Sequence, residues 1–385
     1  MVSLARRLNE LTLDGAGSLQ SVGVHSGRFQ WTTWPTPTSS TTATYLNRGN
    51  LDVWVQKMRP DGRTQWVTVF GGSGRDDGRG VTLHRNGDVA VAGTFQYSST
   101  FANPMQVGRF TLNRATSPAG TTTNDVFVAR LSGSDGSVQW AKQFGGTGAD
   151  EAVGVGATST GTTVVAGTFT SPSLQLDGVT LTNPGSSAVV FVAYLDSNGV
   201  VTSATSHPEL LGLSKMAVDP ATGAVYLIGT DYVMRVGQWT TSLAGISGAD
   251  RRRGLAIDPA SRYVFIGAHH NRGSLTLGGT TLVNGGNGQM DGLVARLDAQ
   301  TGAIDWVVRL AGEDADAVYG VAADADSVYV SGAYDRSLVC TLGCLAFSAA
   351  PSRRTVSLQS VIYHNRTRTN KHPITRHLPV AGLLY

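Results

Sequence analysis

The chain has 385 residues, of which 48 are glycine, 41% are apolar and only 15% carry charge; glycine stands well above its usual share of about 7%, and no run of about 18 apolar residues occurs. Those proportions exclude a coiled coil, a collagen, a disordered polyelectrolyte and a helical membrane protein. The formal charge of +3 divides unevenly: no Asp or Glu follows Asp335, so the chain up to that point carries 23 basic and 27 acidic residues, and the last fifty residues hold seven of the thirty Lys and Arg.

Taken from the N-terminus, Met1 to Gly15 contains Arg6 and Arg7 but no apolar core segment and no small-residue cleavage site, so it does not read as a secretory signal. Leu4-Ala-Arg-Arg-Leu then leads to GAGSLQSVGV and Phe29-Gln-Trp-Thr-Thr, a shortened first unit. A fuller unit begins near residue 50: Asp52-Val-Trp-Val-Gln-Lys-Met, then Trp66, then GGSGRDDGRGV from Gly71, closing at Gly93. The same landmarks return as Asp125-Val-Phe-Val-Ala-Arg-Leu, Trp140, GGTGADEAVGV from Gly145 and Gly167, and again as Asp291-Gly-Leu-Val-Ala-Arg-Leu, Trp306, AGEDADAVYGV from Ala311 and Gly332. Weaker copies run from Phe191 to Gly229 and from Tyr232 to Gly267. Six units therefore begin near residues 2, 50, 124, 188, 232 and 289, and fill residues 1–350.

Within a unit, apolar residues alternate over short runs bounded by turn residues, and no capped helical periodicity of useful length occurs. Many units add a hairpin, as in SLQLDGVTL at 173–181 and SLTLGGTTL at 274–282. Repeated four-stranded units of this kind predict an all-β fold, a β-propeller of short antiparallel sheets with six recognisable repeats or an incomplete seven-bladed ring.

The combination of D-x-F-V-A-R-L, a glycine turn, tryptophan, G-G-x-G-x-D and V-Y-V-x-G resembles the bacterial SBBP β-propeller repeat over about residues 2 to 350. That resemblance implies a propeller at the cell surface, in the periplasm or outside the cell, and it implies no activity. One segment, Ala295-Arg-Leu-Asp-Ala-Gln-Thr-Gly-Ala-Ile-Asp-Trp306, is also similar to the tryptophan-docking repeat of pyrroloquinoline-quinone dehydrogenases. Its full form occurs once in this sequence, with no vicinal cysteine pair and no evident set of cofactor-binding residues beside it, so pyrroloquinoline quinone is not expected as a cofactor.

The tryptophans at the ends of second strands read as anchors between neighbouring blades. Trp31 and Trp34 fall where other units carry Val91 and Thr94, and read either as gap fillers or as an aromatic face for a sugar. Asp76, Asp150, Asp250 and Asp316 align after G-x-G, with Leu19 and Leu211 in their place elsewhere. A carboxylate there holds a tight turn through backbone N–H groups, or supplies oxygen ligands to calcium. Hydrolase and nucleotide-binding motifs are missing from the sequence, and His269 and His270 read as a solvated pair in a loop after Gly267. Cys340 and Cys344 flank a three-residue turn and read as a disulfide of an oxidising compartment or as two thiols. Residues 351–385 have no acid and no repeat landmark, and read as a basic arm or as sequence beyond the end of true repeat coding.

These observations predict a monomeric, non-catalytic scaffold that binds a protein or glycan, without a membrane span or a nucleic-acid partner. The competing expectation is a propeller enzyme, either a quinone-dependent dehydrogenase or a carbohydrate-active enzyme.

Overall fold

The computed structural model describes residues 6–36, 38–97, 104–113, 123–246, 254–270, 273–283, 290–311, 316–325, 327–333, 337–340, 347–348 and 357–361. Every regular element among them is a β-strand, and no helix of theirs is long and apolar enough to cross a membrane.

The first sheet comprises β1 (Arg6–Leu13) and β2 (Leu19–His25), which lead into an outer hairpin of β3 (Arg28–Thr33) and β4 (Thr41–Leu46), then β5 (Asp52–Met58) and β6 (Thr64–Phe70). Its hydrogen-bonded order is β1-β2-β5-β6. The second repeats this plan with β7 (Asp76–Leu83), β8 (Val89–Tyr97), the hairpin β9 (Met105–Val107) and β10 (Phe110–Leu112), β11 (Thr123–Leu131) and β12 (Val138–Phe144). The third has β13 (Asp150–Ala157), β14 (Thr163–Phe169), the hairpin β15 (Ser173–Leu176) and β16 (Val179–Thr182), β17 (Val189–Leu195) and β18 (Val201–His207). The fourth is a plain meander, β19 (Lys215–Val218), β20 (Val225–Ile228), β21 (Tyr232–Arg235) and β22 (Trp239–Ser242). The fifth has β23 (Gly254–Ile257), β24 (Tyr263–His270), the hairpin β25 (Ser274–Leu277) and β26 (Thr280–Val283), β27 (Asp291–Asp298) and β28 (Ile304–Ala311). The sixth opens with β29 (Ala317–Ala323) and β30 (Val328–Ala333); β31 (Ser337–Cys340) and β32 (Phe347–Ser348) then extend the fifth sheet beyond β28, and β33 (Ser357–Val361) completes the sixth beside β30.

The D-x-F-V-A-R-L run is thus the third strand of a sheet and the tryptophan run its fourth, while G-G-x-G-x-D opens the next sheet. Each sequence repeat straddles two sheets and ties them covalently. This offset explains the near-continuous apolar character of the third strands, because a sheet held between two others is buried on both faces. In β11, Val126 and Val128 pack with the third sheet while Phe127, Ala129 and Leu131 pack with the first, all fully buried. Among the described residues the core is accordingly a series of apolar layers, each shared by two successive sheets.

Polar contacts reinforce the seams. The Trp66 Nε1–H donates to the Gly133 carbonyl at 3.1 Å, Trp140 to Ser197 at 3.0 Å and Trp239 to Ala299 at 3.2 Å, so each tryptophan docks on a turn of the following sheet. The tryptophan-docking sequence is complete only at the last of these turns, yet the docking geometry occurs at all three. Each ring packs on a left-handed glycine of that turn, Gly136, Gly199 or Gly302. The landmark after each tryptophan strand is a clasp as well: Gly71 exchanges backbone hydrogen bonds with Gln106 of β9, Gly145 accepts from Gln175 of β15, and Ala311 pairs with Val339 of β31.

The first strands approach closely, and a Cβ placed at Gly80 of β7 would stand 2.8 Å from the backbone nitrogen of Val155 in β13. Lys215 of β19 forms an ion pair with Glu10 of β1, Nζ to Oε1 at 3.0 Å. Sheets stacked face to face lie about 10 Å apart, so a straight pile would separate the first from the fourth by about 30 Å. Side chains from both can meet only if the sheets wind about a common axis with their first strands innermost. The fold is a β-propeller.

Three expectations need correction. β1 is an innermost first strand, not a counterpart of the D-x-F-V-A-R-L strands: it carries the register shift between Leu8 and Glu10 that β7 shows between Gly78 and Gly80 and β13 between Ala152 and Gly154. Arg6, rather than Leu19, therefore occupies the Asp76 position, pairing with His25 as Asp76 pairs with Phe95 and Asp150 with Phe169. His269 and His270 do not lie in a solvated loop; they continue β24, are buried, and His270 pairs in register with Asp291. In the basic C-terminal segment the described residues are β33, which pairs antiparallel with β30 as the third strand of the sixth sheet.

Candidate functional site

A cleft of about 280 Å³ opens on the outer rim between the β3–β4 hairpin of the first sheet and the β11–β12 turn of the second. Thr33, Pro35, Tyr45, Gln65, Trp66 and Asp135 line it. The hairpin is placed by its own alternation, with Phe29 paired in register with Tyr45 and the two rings stacked at 5.2 Å. Phe29 is buried, while burial of Tyr45 is partial and raises its phenol above the ordinary value. On the opposite wall, Asp135 accepts from the Ser137 backbone N–H at 3.0 Å and its hydroxyl at 2.8 Å, which holds its carboxyl below the usual range. Gln65 crosses the cleft floor to donate to the Ser134 carbonyl at 3.0 Å.

Trp31 and Trp34 stand beside this cleft without lining it. Trp31 packs 5.4 Å from Trp54 and 5.7 Å from Phe29, and its Nε1–H donates to Thr64 Oγ1 at 3.1 Å. The Trp34 backbone N–H donates to the Thr64 carbonyl at 2.6 Å, and its ring lies 4.6 Å under the Arg63 guanidinium. Both pin the hairpin to β6. Tyr45 was missed because its signal, an aromatic pair in register across β3 and β4, is visible only once the turn between them is placed.

Asp76 and Asp150 lie in separate seams. Asp76 Oδ2 accepts from Gly72 N–H at 2.7 Å; Asp150 accepts from Gly146 N–H at 2.8 Å and from the Ser171 hydroxyl at 2.7 Å. Each thus holds its own G-G-x-G turn. Burial, countered by the Gly72 hydrogen bond and increased by the nearby Asp52 carboxylate, pushes Asp76 up to about 7; burial likewise takes Asp52 to about 6. Asp316 is buried, and its N–H donates to the Met290 carbonyl as that of Asp76 does to Leu51. Asp250, Cys344 and the side chain of Cys340 lie outside the described residues. Among the described residues no three His, Cys, Asp or Glu side chains gather as metal ligands.

No protein-family model matches the chain, and no curated protein is similar to it in sequence. Among solved structures it is similar to a quinohemoprotein alcohol dehydrogenase from Comamonas testosteroni, with TM-score 0.45 and 10% identity over 92% of this chain and 67% of that one. It is also similar to a glucose dehydrogenase, with TM-score 0.34 and 13% identity over 85% of this chain and 96% of that one. Likeness at this level carries no inference about chemistry, and the propeller rests on the sheet order and on the meeting of Glu10 with Lys215.

Proposed function

We propose that the chain is a non-catalytic propeller scaffold that binds a partner at its outer rim, outside the cytoplasm, and that among glycan and protein partners the cleft favours a glycan. The observation that carries this reading is the cleft's composition. An aromatic ring and a proline offer an apolar face to the C–H side of a sugar, while Thr33, Gln65 and the ionised Asp135 offer hydrogen-bond partners to its hydroxyls. The resemblance of the repeats to the SBBP type supports the extracytoplasmic setting.

A glycan array followed by calorimetry on the best ligand tests it. Binding without turnover, weakened about tenfold or more by Tyr45→Ala, is expected. Binding that survives Tyr45→Ala rejects the cleft, and turnover of the bound saccharide moves the protein to the carbohydrate-active class.

A further inference from the structure

The mouth of the propeller axis, at the start of β1 and β7, concentrates guanidinium groups around a single buried carboxylate. Asp77 is only 6% exposed in its side chain. Arg7 Nη2 donates to both of its oxygens at 3.1 Å, Asn9 Nδ2 to Oδ1 at 2.8 Å, Arg79 Nε lies 3.2 Å from Oδ2, and Arg75 Nη2 stands 3.8 Å away. One carboxylate thus faces three cations. The Arg79 Nε is buried yet lies off the hydrogen-bonding direction to Asp77. Arg7 and Arg75 remain about half exposed, at 55% and 49%, so their charge and remaining N–H donors are open to solvent.

Fold geometry explains the gathering. Arg7 and Asp77 occupy equivalent registers of neighbouring innermost strands, one residue before the shared shift, and Asn9 and Arg79 are the extra residues of the two shifts. A register shift re-aims the side chain it carries. Two strands that each re-aim a residue towards the axis bring four polar side chains together. Glu151 holds the same register as Asp77 in β13, and Asn124 Nδ2 approaches it at 3.3 Å.

We propose that Arg7, Arg75 and Arg79 form an oxyanion site that takes the carboxylate or sulfate group of an acidic saccharide. Asp77 fixes the Arg7 guanidinium through its hydrogen bonds and neutralises one of the three charges. The uncancelled pair supplies planar donors suited to a two-oxygen anion. This deepens the glycan reading by naming the class of sugar, and it uses a site separate from the rim cleft.

The test is calorimetric titration of the full chain with three tetrasaccharides, an unsulfated galacturonate, a heparin fragment and neutral chitotetraose, at low and high salt. Both acidic probes, or one of them, should bind, the difference between them telling carboxylate from sulfate, with affinity falling as salt rises. Arg75→Ala should weaken that binding about tenfold or more, Arg75→Lys should restore part of it, and Arg109→Ala on the exposed β9–β10 turn should leave it unchanged. Arg75 is the chosen position because its loose ion pair leaves Asp77 held by Arg7 and Asn9. No binding of either acidic probe, or equal losses in Arg75→Ala and Arg109→Ala, overturns the proposal. Chitotetraose binding and its sensitivity to Tyr45→Ala report on the rim cleft alone, so the two readings fail separately.

Discussion

Glu10 and Lys215 occupy the same register of two innermost strands, each opposite the fourth residue after its hairpin turn, and their charged groups meet at 3.0 Å. At this register the other four sheets carry Gly80, Gly154, Gly254 and Gly320. Glycine there lets one innermost strand lie against the backbone of the next; a Cβ at Gly254 would stand 2.7 Å from the Val321 nitrogen. Long side chains at only two of the six positions, of opposite sign, reach each other across the space the glycines leave.

The Asp52 and Asp76 carboxyls make the first seam sensitive to pH. Both hold their protons to higher pH in the folded chain, about 6 and about 7, than unfolded carboxyls do near 4. Their contribution to stability is therefore complete below about pH 4 and is lost as pH rises towards 7. Asp76→Asn, which keeps an acceptor for the Gly72 N–H, should remove much of that loss. Thermal unfolding between pH 4 and 8 should show the variant gaining on the parent by several degrees at pH 8; parallel curves would contradict the coupling.

Docking of tryptophan on a turn of the following sheet can be separated from backbone strain by two glycines that share a left-handed conformation. Gly199 has φ 80° and Gly161 has φ 88°. A Cβ at Gly199 would stand 2.7 Å from the Trp140 ring, whereas one at Gly161 meets nothing within 4 Å. Gly161→Ala should cost about 1 kcal/mol, the ordinary cost of the left-handed region, and Gly199→Ala clearly more in denaturant unfolding. Equal costs would mean that Trp140 does not dock where it lies.

The arginine of D-x-F-V-A-R-L is buried in the second sheet, where Arg130 Nε and Nη2 each stand 3.1 Å from Asp88 Oδ2. Asp88 also accepts from the Gly133 N–H at 3.4 Å, at the turn that receives Trp66. Arg130→Ala removes the guanidinium from the half-buried Asp88 carboxylate, which keeps its hydrogen bonds from Asn86 and Gly133, and should cost about 2 kcal/mol in denaturant unfolding. Arg130→Ala combined with Asp88→Asn should recover part of it. A cost below about 1 kcal/mol would place the pair among ordinary surface contacts.

Much of this architecture is legible in the sequence because it is local and repeated. The Asp52, Asp125 and Asp291 strands, the tryptophans and the G-G turns keep their spacing, and the structure places them on equivalent strands. The first unit misled because Leu4-Ala-Arg-Arg-Leu imitates a third-strand motif by composition, while its role is set by the register shift at Asn9, which only pairing with β2 exposes. His269 and His270 look like loop residues because the landmark glycine precedes them, yet β24 runs on to pair with Asp291. Neither the rim cleft nor the arginine cluster could be read in advance. Tyr45 and Asp135 line one cleft, and Arg7 meets Asp77, across sequence separations that only the winding of the sheets closes.

Winding about one axis is tested most directly by a zero-length carbodiimide cross-link, which joins an amine to a carboxylate only when the two already touch. Lys142 and Asp177, 2.7 Å apart within a seam, provide an internal standard. A propeller yields a Glu10–Lys215 cross-linked peptide by mass spectrometry alongside the Lys142–Asp177 one, and loses only the first in Lys215→Gln. Recovery of Lys142–Asp177 without any Glu10–Lys215 product would contradict it, leaving an open stack of sheets in place of a ring.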